Sequence, residues 1–377
     1  MALSAADTFT PLEGLRVVDF TRLLAGPYAT MTLAELGAEV IKVEMPHVGD
    51  ETRSWGPPFV SGSSAYFHAV NRGKRSVELD LRTPEGLTAA LDLIASADVV
   101  LENFRPGVAD RLGIGPADAR RRNPRVIYGS VTGFGSEGPL SEHAGTEVIV
   151  EAESGLMSIT GLPGGEPVRF GVAMVDIASG LSLINGVLAA LIERDRTGSG
   201  RCIDISLYAT AMSGLGTVIA GAAAGGQESR AWGSAHPSIV PYRAFRVADG
   251  HVVLGATNDP MFQRLIDALD LREHLGCSEW AQNPARVRDR EQIERHLADR
   301  LHALTVDEVV GRLQASRVLV APVRTPSDAA SSEQARALGL IVDDGGLRFA
   351  RSPLGPNGTR QLGPAAVLGE HTDEVLA

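Results

Sequence analysis

The stretch LRVVDFTRLLAGPYATMTLAELGAEVIKVE (residues 15–44) contains two short β-branched runs, 15–20 and 37–44, separated by residues with helical spacing. Runs of that length and composition predict strands, and Gly37 is placed where it would end the helix. A strand, a helix and a second strand in this order predict one parallel βαβ unit. This unit begins the pattern that decides the fold.

The same alternation continues along the chain. Further strands are predicted at 76–81, 98–104, 125–135 and 201–207, with helical stretches between them and a long, largely buried helix within 180–200. Alternating strands and helices predict an α/β fold in which helices cover both faces of a parallel sheet, as in a Rossmann-like domain.

Composition changes after about residue 231. The run PYRAFRVADGHVVLGA (241–256) predicts a hairpin around Ala-Asp-Gly, and amphipathic helices follow it. This region is expected to form a smaller α+β domain. The predicted boundaries are a large domain over 1–208, a linker over 209–231, the small domain over 232–322, and a linker with a C-terminal return to the large domain over 323–377.

The charge and the cysteine content of the chain exclude several classes of function. The 377 residues carry a formal net charge of -11, which argues against a nucleic-acid partner because such proteins concentrate Lys and Arg. Cys202 and Cys277 are far apart and show no spacing typical of a metal site, which favours a reduced, cytoplasmic setting and no bound metal. Without a basic, apolar leader or a run of about 18 apolar residues, no membrane association is expected.

The first strand–helix junction lacks the expected nucleotide-binding motif. TRLLAGPYATM (21–31) has no G-x-G-x-x-G, and neither a P-loop nor a G-x-S-x-G elbow occurs. A helix that starts after Gly26 and Pro27 could hold a phosphate or carboxylate, although a simple turn is the favoured interpretation.

One carboxylate stands in apolar surroundings. Asp176 lies within VRFGVAMVDIASGLSLING (168–186), between an expected apolar strand and the long helix. The local pattern favours a helix N-cap, whose carboxylate binds free backbone N–H groups. A nucleophile is the alternative, and the two roles are compatible because one oxygen can be oriented while the other attacks.

Several longer motifs resemble those of the family III CoA-transferases, the group that includes formyl-CoA transferase, the carnitine and bile-acid CoA-transferases and, as a relative, α-methylacyl-CoA racemase. They follow the order of that family over about residues 11–210. The matching stretches are PLEGLRVVDFTRLLAGPYATMTLAELGAEVIKVE (11–44), NRGKRSVELDL (71–81), VLENFRPGVADRLGIG (100–115), NPRVIYGSVTGFGSEGPL (123–140), GVAMVDIASG (171–180) and LAALIERDRTGSG (188–200).

The resemblance implies that Asp176 is the catalytic nucleophile, which would pass through a mixed anhydride to an enzyme-bound aspartyl-CoA thioester. Glu147 matches the family's acidic partner of that nucleophile, although an acid in the first turn of a helix needs no function. Racemases of the family carry a His at the position of Thr146, so its absence argues against a racemase-like enzyme. An acyl-CoA hydrolase with the same acyl-enzyme, opened to water, is the nearest rival.

The resemblance also implies coenzyme A or acyl-CoA as a substrate, with no permanently bound cofactor. Two departures from formyl-CoA transferase stand out, since Leu24 replaces a Gln near the substrate and Met45 replaces a CoA-binding Arg. The implied CoA-binding residues are Leu24, Ala25, Leu79, Asp80, Leu81, Arg82, Asn103, Phe104, Arg105, Arg111, His143, Ala144, Gly145 and Thr146.

A closer similarity, over nearly the whole chain, is to the members of the family that use succinyl-CoA and glutarate. The stretches DETRSWGPPFV (50–60), RFGVAMVDIASGL (169–181), RAWGSAHPSIVPYRAFRVADGHVVLGATND (230–259) and LGEHTDEVL (368–376) carry it. It implies succinyl-CoA as donor and a glutarate-like, four- to six-carbon dicarboxylate as acceptor. The loop 255–260 is less glycine-rich than its counterpart in transferases of short acids.

A second carboxylate needs a cation or a nest of donors in a closed site. For each candidate an ion pair or an exposed charge is at least as good an explanation, and His236 could be a satisfied core histidine. These candidates are Arg22, Arg53, Arg169, Arg230 and His236. Finally, the resemblance implies an interlocked homodimer in which each chain threads through a ring made by the other.

Overall fold

The structure is a computed structural model that describes residues 8–225, 229–354 and 359–377. It divides into two compact units. The large unit contains the described residues of 1–157, 169–227 and 333–377, and the small unit contains those of 158–168 and 228–332. The predicted linker, 209–231, includes 226–228, which lie outside the described residues, and two helices occupy much of its first part. The predicted domain boundaries stay predictions.

The strands are short and numbered in chain order. They are β1 (Arg16–Asp19), β2 (Glu39–Glu44), β3 (Phe59–Val60), β4 (Ser63–Ser64), β5 (Arg75–Glu78), β6 (Val99–Glu102), β7 (Ile127–Thr132), β8 (Cys202–Ser206), β9 (Tyr242–Arg246), β10 (His251–Gly255), β11 (Leu319–Pro322), β12 (Ile341–Asp344) and β13 (Leu347–Ala350).

The helices range from single turns to one of seven turns. They are α1 (Ala25–Glu35), α2 (Ala65–Asn71), α3 (Pro84–Ser96), α4 (Val108–Arg111), α5 (Pro116–Arg122), α6 (Glu147–Glu153), α7 (Leu156–Ile159), α8 (Met174–Thr197), α9 (Leu207–Gly214), α10 (Gly216–Ala223), α11 (Asp259–Ala268), α12 (Arg272–Leu275), α13 (Asn283–Arg288), α14 (Arg290–Leu301), α15 (Val306–Ala315), α16 (Pro326–Ala330), α17 (Glu333–Ala337) and α18 (Thr372–Leu376). Glu51–Ser54 and Ser278–Ala281 form 3₁₀ turns.

The large unit is built on a six-stranded sheet in the order β5-β2-β1-β6-β7-β8, and every neighbouring pair is parallel. The predicted parallel α/β sheet is therefore confirmed. Counted along the chain, the order is that of dinucleotide-binding folds, which reverses direction between β1 and β6. Ligands bind such sheets outside the carboxyl ends of the strands at that point of reversal.

Both faces of this sheet are covered by helices. Successive side chains alternate between the faces, so that Val17 packs with α1 and α8 while Val18 packs with α3 and α5. Each face therefore has its own apolar core.

The long helix after Asp176 is confirmed as α8, but two expectations about it are wrong. The strand expected before it does not form, because the backbone N–H groups of Phe170 and Val175 bind carboxylates of α6 instead of another strand. The helix is also not largely buried, since Leu181 is 44% and Ile192 63% exposed. By length and apolar composition α8 could cross a membrane, but a core helix passes the same test.

The small unit contains a three-stranded antiparallel sheet in the order β11-β10-β9. The predicted hairpin is confirmed, with His251 opposite Arg246 where the chain turns. Helices α11, α14 and α15 pack apolar side chains into the core of this unit, together with residues of β9 and β10. Arg286, which is fully buried there, donates to the Asp259 carboxylate at 2.7 Å.

The C-terminal segment adds elements that the sequence pattern did not reveal. Strands β12 and β13 form a hairpin whose turn residues, Gly345 and Gly346, both have positive φ, which glycine adopts without strain. Further on, the N–H of Gly369 donates to Ser76 at 3.0 Å, and that of Glu78 donates to Thr372 at 3.1 Å. These bonds attach the last residues to β5.

Two buried ion pairs lie at the carboxyl ends of the first strands. Lys74 Nζ lies 3.1 Å from Asp19, and Lys42 Nζ lies 3.0 Å from Asp50, with all four side chains almost fully buried. Burial alone would raise the pKa of Asp19, but Lys74, Lys42 and two threonine hydroxyls lower it to about 2. Asp19 therefore favours folding above its ordinary pKa, and this contribution is lost as the pH falls through about 2.

Replacing Lys74 by Met is expected to lower the free energy of unfolding by about 3–5 kcal/mol, because it leaves the Asp19 carboxylate buried without its cation. Urea titration followed by circular dichroism measures the change. Arg75→Gln is the matched control, since Arg75 pairs with the partly exposed Glu39 and should cost no more than about 1 kcal/mol. Equal losses in the two variants would contradict the role assigned to the buried pair.

Candidate active site

A cavity of about 400 Å³ opens at the carboxyl edge of the large sheet. The segments that follow β1, β2, β5 and β6 line it, on the side where the strand order reverses. The helix at this edge does not start after Gly26 and Pro27 as expected. It starts at Ala25, with both residues in its first turn. Gly26 is required there, because a Cβ would lie 2.3 Å from Thr21.

The segment between β1 and α1 is held in an uncommon conformation. Leu23 has φ 68, a value that costs a non-glycine residue about 1–3 kcal/mol unless its surroundings impose it. Arg22 exchanges two backbone hydrogen bonds with the Asn103 amide, at 2.8 and 2.7 Å. Lys42 donates to the Thr21 carbonyl at 2.7 Å. The surroundings therefore fix this segment.

Asp176 lies in the first turn of α8 and is half-buried. The N-cap interpretation is wrong, because the cap position is Ala173 and no side chain caps the helix. Burial raises the pKa of Asp176 to about 6. One turn later, a Cβ on Gly180 would lie 2.6 Å from the Ala25 carbonyl, so that α1 and α8 approach closely beside Asp176. The carboxylate is thus desolvated but not enclosed.

Glu147 is the first residue of α6, as expected for a first-turn acid, and it is buried. Its Oε1 accepts the N–H of Val175 at 3.1 Å, which places its carboxyl beside the residue that precedes Asp176. Burial raises the pKa of Glu147 to about 7; the Val175 N–H opposes this rise, and the charges of Asp176 and Glu151 add to it. Two carboxyl groups with raised pKa values therefore share one site.

Tyr66, at the start of α2, belongs to the same neighbourhood. Burial, together with the charges of Asp176, Glu147 and Asp50, raises its pKa to about 12. The ring of Trp55 lies 5.4 Å from that of Tyr66, and both rings are partly exposed. The phenol remains protonated at neutral pH and can donate a hydrogen bond to an anion.

Part of the predicted CoA-binding set lines the cavity at the sheet edge, and Arg22 and Met45 line it too. The predicted residues that do so are Leu79, Asp80, Leu81, Arg82 and Phe104. Arg82 and Asp80 form an exposed ion pair at 2.8 Å, so the cation is accessible but already partnered.

The rest of the predicted CoA-binding set is distributed around this edge. Leu24 and Ala25 are buried, and Leu24 lines a second, mainly apolar cavity beside α1 and α8. Gly145 packs so closely on Gly133 that a Cβ on either would lie within 2.7 Å of the other's backbone. The exposed or half-exposed members are Asn103, Arg105, Arg111, His143, Ala144 and Thr146. Of these, His143, Ala144 and Thr146 lead into Glu147.

The structure shows that the cations considered for a second substrate carboxylate differ in their partners. Arg53 binds both oxygens of Glu44, at 2.8 and 2.7 Å, and is buried. Arg22 pairs with Glu51 at 3.1 Å. Arg230 and His236 belong to the small unit, where each lies against an aromatic ring. Arg169 is exposed and near Glu147 and Tyr66, the pKa values of which its charge lowers.

Sequence reasoning missed Tyr66, Trp55 and Glu151. Trp55 and Tyr66 meet through the hairpin of β3 and β4, which has only two residues in each strand and so leaves no alternating pattern. Glu151 is spaced four residues from Glu147, which is the one available signal that both side chains share a face of a helix. Among the described residues, no group of His, Cys, Asp and Glu side chains is arranged to hold a metal ion.

Comparison with known proteins places these observations in a family. Residues 12–372 match the profile of CoA-transferase family III. The chain is 39% identical to mouse succinyl-CoA:glutarate CoA-transferase, over 99% of this chain and 87% of that protein. It is 38% identical to succinate–glutarate CoA-transferase of Agrobacterium fabrum, over 97% and 95% of the two chains.

Among solved structures, a CAIB/BAIF family protein from Brucella suis superposes with a TM-score of 0.89. That protein is 39% identical, and the match covers 98% of this chain and 99% of the other. The profile match spans nearly all of the sequence, and the resemblance inferred from the motifs is confirmed. The chain therefore belongs to CoA-transferase family III.

Proposed function

We propose that this protein transfers coenzyme A from succinyl-CoA to glutarate or a similar dicarboxylate. The observation that carries the proposal is the pair of carboxyl groups at the start of α8, with Asp176 desolvated and Glu147 bound to the adjacent backbone. The relatives named for succinyl-CoA and glutarate support the choice of substrates.

In the proposed reaction, an Asp176 oxygen attacks the thioester carbonyl of succinyl-CoA. The C–S bond breaks, the CoA thiolate leaves, and Asp176 and the succinyl group form a mixed anhydride. The thiolate then attacks the Asp176 carbonyl, which releases succinate and leaves CoA bound to Asp176 as a thioester. Glutarate then takes part in the same two steps in reverse, which forms glutaryl-CoA and restores the Asp176 carboxylate. No proton is consumed overall, and the energy of the thioester is conserved.

The local environment suits this chemistry. Taking a carboxylate partly out of water raises its pKa and strengthens it as a nucleophile, while a pKa of about 6 keeps Asp176 mostly ionised at neutral pH. Protonated Glu147 and the phenol of Tyr66 can donate to the oxyanions that form on the attacked carbonyls. The cavity at the sheet edge, with Leu79–Arg82 and Phe104, is the proposed site of the nucleotide part of CoA.

Asp176→Ala is expected to lower transfer from succinyl-CoA to glutarate by at least roughly 10⁴-fold, because it removes the nucleophile. CoA binding, measured by calorimetry, should persist. Intact-protein mass spectrometry of the wild type with succinyl-CoA should show a covalent CoA adduct that the variant lacks. Asp195→Ala, an exposed aspartate on the same helix, is the control and should retain activity.

Two outcomes of this experiment would contradict the proposal. Unchanged turnover in Asp176→Ala would exclude the aspartyl intermediate. Release of free CoA from the wild type at the same rate with and without glutarate would indicate a hydrolase, because only exclusion of water separates the two reactions of such an acyl-enzyme.

The pH dependence of kcat/KM for succinyl-CoA should be bell-shaped. Activity is lost as the pH falls through about 6, because Asp176 must be ionised, and as it rises through about 7, because Glu147 must hold its proton. The two apparent values belong to the interacting pair.

Glu147→Gln keeps a neutral hydrogen-bond donor and is expected to remove the alkaline limb of this profile while lowering the rate by up to roughly 10²-fold. Stopped assays from pH 5 to 9 at constant ionic strength measure both limbs. An alkaline limb that persists unchanged in the variant would exclude Glu147 as the proton-bearing group.

We further propose a homodimer, interlocked as in the related transferases, with a cytoplasmic location. Support for association comes from α8, whose face with Met174, Leu181 and Ile192 is apolar and exposed in the isolated chain. Cys202 and Cys277, both free and exposed, suit a reducing compartment.

In sedimentation velocity, the wild type should have twice the mass of one chain, and Leu181→Asp should shift the population toward monomer because it places a charge on the apolar α8 face. Leu162→Asp is the matched control, since Leu162 is 73% exposed and lies in the small unit. A wild type that sediments as a single chain at micromolar concentration would contradict the homodimer.

A further inference from the structure

The segment Phe170–Val175, which leads to Asp176, is fixed at both ends by one helix. Glu151 accepts the N–H of Phe170 at 3.3 Å, and Glu147 accepts the N–H of Val175 at 3.1 Å. The two acceptors are one turn apart on α6, about 6 Å along its axis. The segment therefore forms a loop whose two ends lie close together.

Arg169 and Asp176 are the residues immediately outside this loop, one before it and one after it. The α6 helix holds both ends of the loop, and the charge of Arg169 acts on Glu147 and Tyr66, which share the site with Asp176.

The guanidinium of Arg169 is available for a ligand. Its Nε donates to the Phe170 carbonyl at 3.2 Å, which keeps the side chain against the loop. No carboxylate among the described residues lies within ion-pair distance of it. Arg169 is also exposed, so an incoming substrate can reach it.

The charge of the site makes such a cation necessary for a dianionic acid. Asp176, Glu147 and Glu151 lie together, and Glu151 is 1% exposed with its Oε1 unpartnered in the described part of the chain. A second substrate carboxylate that entered this acidic region without a positive partner would be strongly disfavoured. Arg53 and Arg22 are already neutralised by Glu44 and Glu51.

We propose that Arg169 selects dicarboxylates by binding the carboxylate remote from the reacting carbon, while the loop Phe170–Val175 sets its distance from Asp176. This inference rests on the proposed transferase activity and adds a specificity-determining residue to it. The planar guanidinium can bind that carboxylate through two parallel hydrogen bonds, which a monocarboxylate cannot use.

The test compares two acceptors of equal length, glutarate and pentanoate, with succinyl-CoA as the common donor. In a ping-pong reaction, kcat/KM for the acceptor reports only the second half-reaction, so the ratio of the two values cancels any effect on the donor. The wild type should prefer glutarate. Arg169→Gln should lower kcat/KM for glutarate about 10- to 100-fold, chiefly by raising KM, and leave the value for pentanoate unchanged or higher.

Two further variants sharpen the comparison. Arg169→Lys keeps the charge without the planar fork and should retain an intermediate preference for glutarate. Arg121→Gln, an exposed arginine on α5 that pairs with Asp118, should behave as the wild type. A preference for glutarate that survives in Arg169→Gln, or equal losses for both acceptors, would overturn the proposal.

Failure of the proposed function would look different. In that case the wild type would form no covalent CoA adduct with succinyl-CoA and transfer CoA to neither acid. A wild type that forms the adduct and transfers CoA equally well to both acids would leave the transferase activity standing and would exclude dicarboxylate selection by Arg169.

Discussion

The buried ion pair between Asp19 and Lys74 is the constraint on which the rest of the site depends. Asp19 ends β1, and its carboxylate also accepts from the hydroxyls of Thr21 and Thr30, at 2.5 and 2.6 Å. One side chain thus joins the strand to the segment that follows it and to α1. An unpaired charge in the interior is very costly, so few other conformations of this segment are compatible with the buried pair. It fixes the start of α1, against which α8 packs closely at Gly180.

The site itself is organised by carboxylates that bind backbone rather than by a catalytic loop of special sequence. Glu147 and Glu151 lie on one face of α6 and hold both ends of the segment before α8. The same burial that makes these bonds strong also raises the pKa of Glu147. One short helix therefore positions Asp176 and supplies the neighbouring carboxyl group with a raised pKa. In the proposed function, this arrangement lets Asp176 exchange acyl groups for CoA.

The sheet and the long helix could be predicted from the sequence because their signals are local. The β-branched runs at 15–20 and 37–44 are separated by residues with helical spacing, and burial on both faces of the sheet explains the adjacent apolar residues within them. The prediction of a strand before α8 was wrong because the contacts that decide the structure there are not local. The segment before Asp176 has the composition of a strand, but carboxylates on α6 accept the N–H groups of Phe170 and Val175, and no local pattern records partners 19 and 28 positions away.

The sequence by itself determined the parallel α/β class, the family and the choice of Asp176 and Glu147, since these depend on periodicity and on motifs that are continuous in the chain. Only the tertiary structure decided that Asp176 is not a helix cap, that Tyr66 lies near it, and that Arg169 lies near Glu147 without an ion-pair partner among the described residues. Those facts depend on which groups meet across the fold and which are desolvated there. Contact and burial are properties of three-dimensional packing and leave no trace in the spacing of residues along the chain.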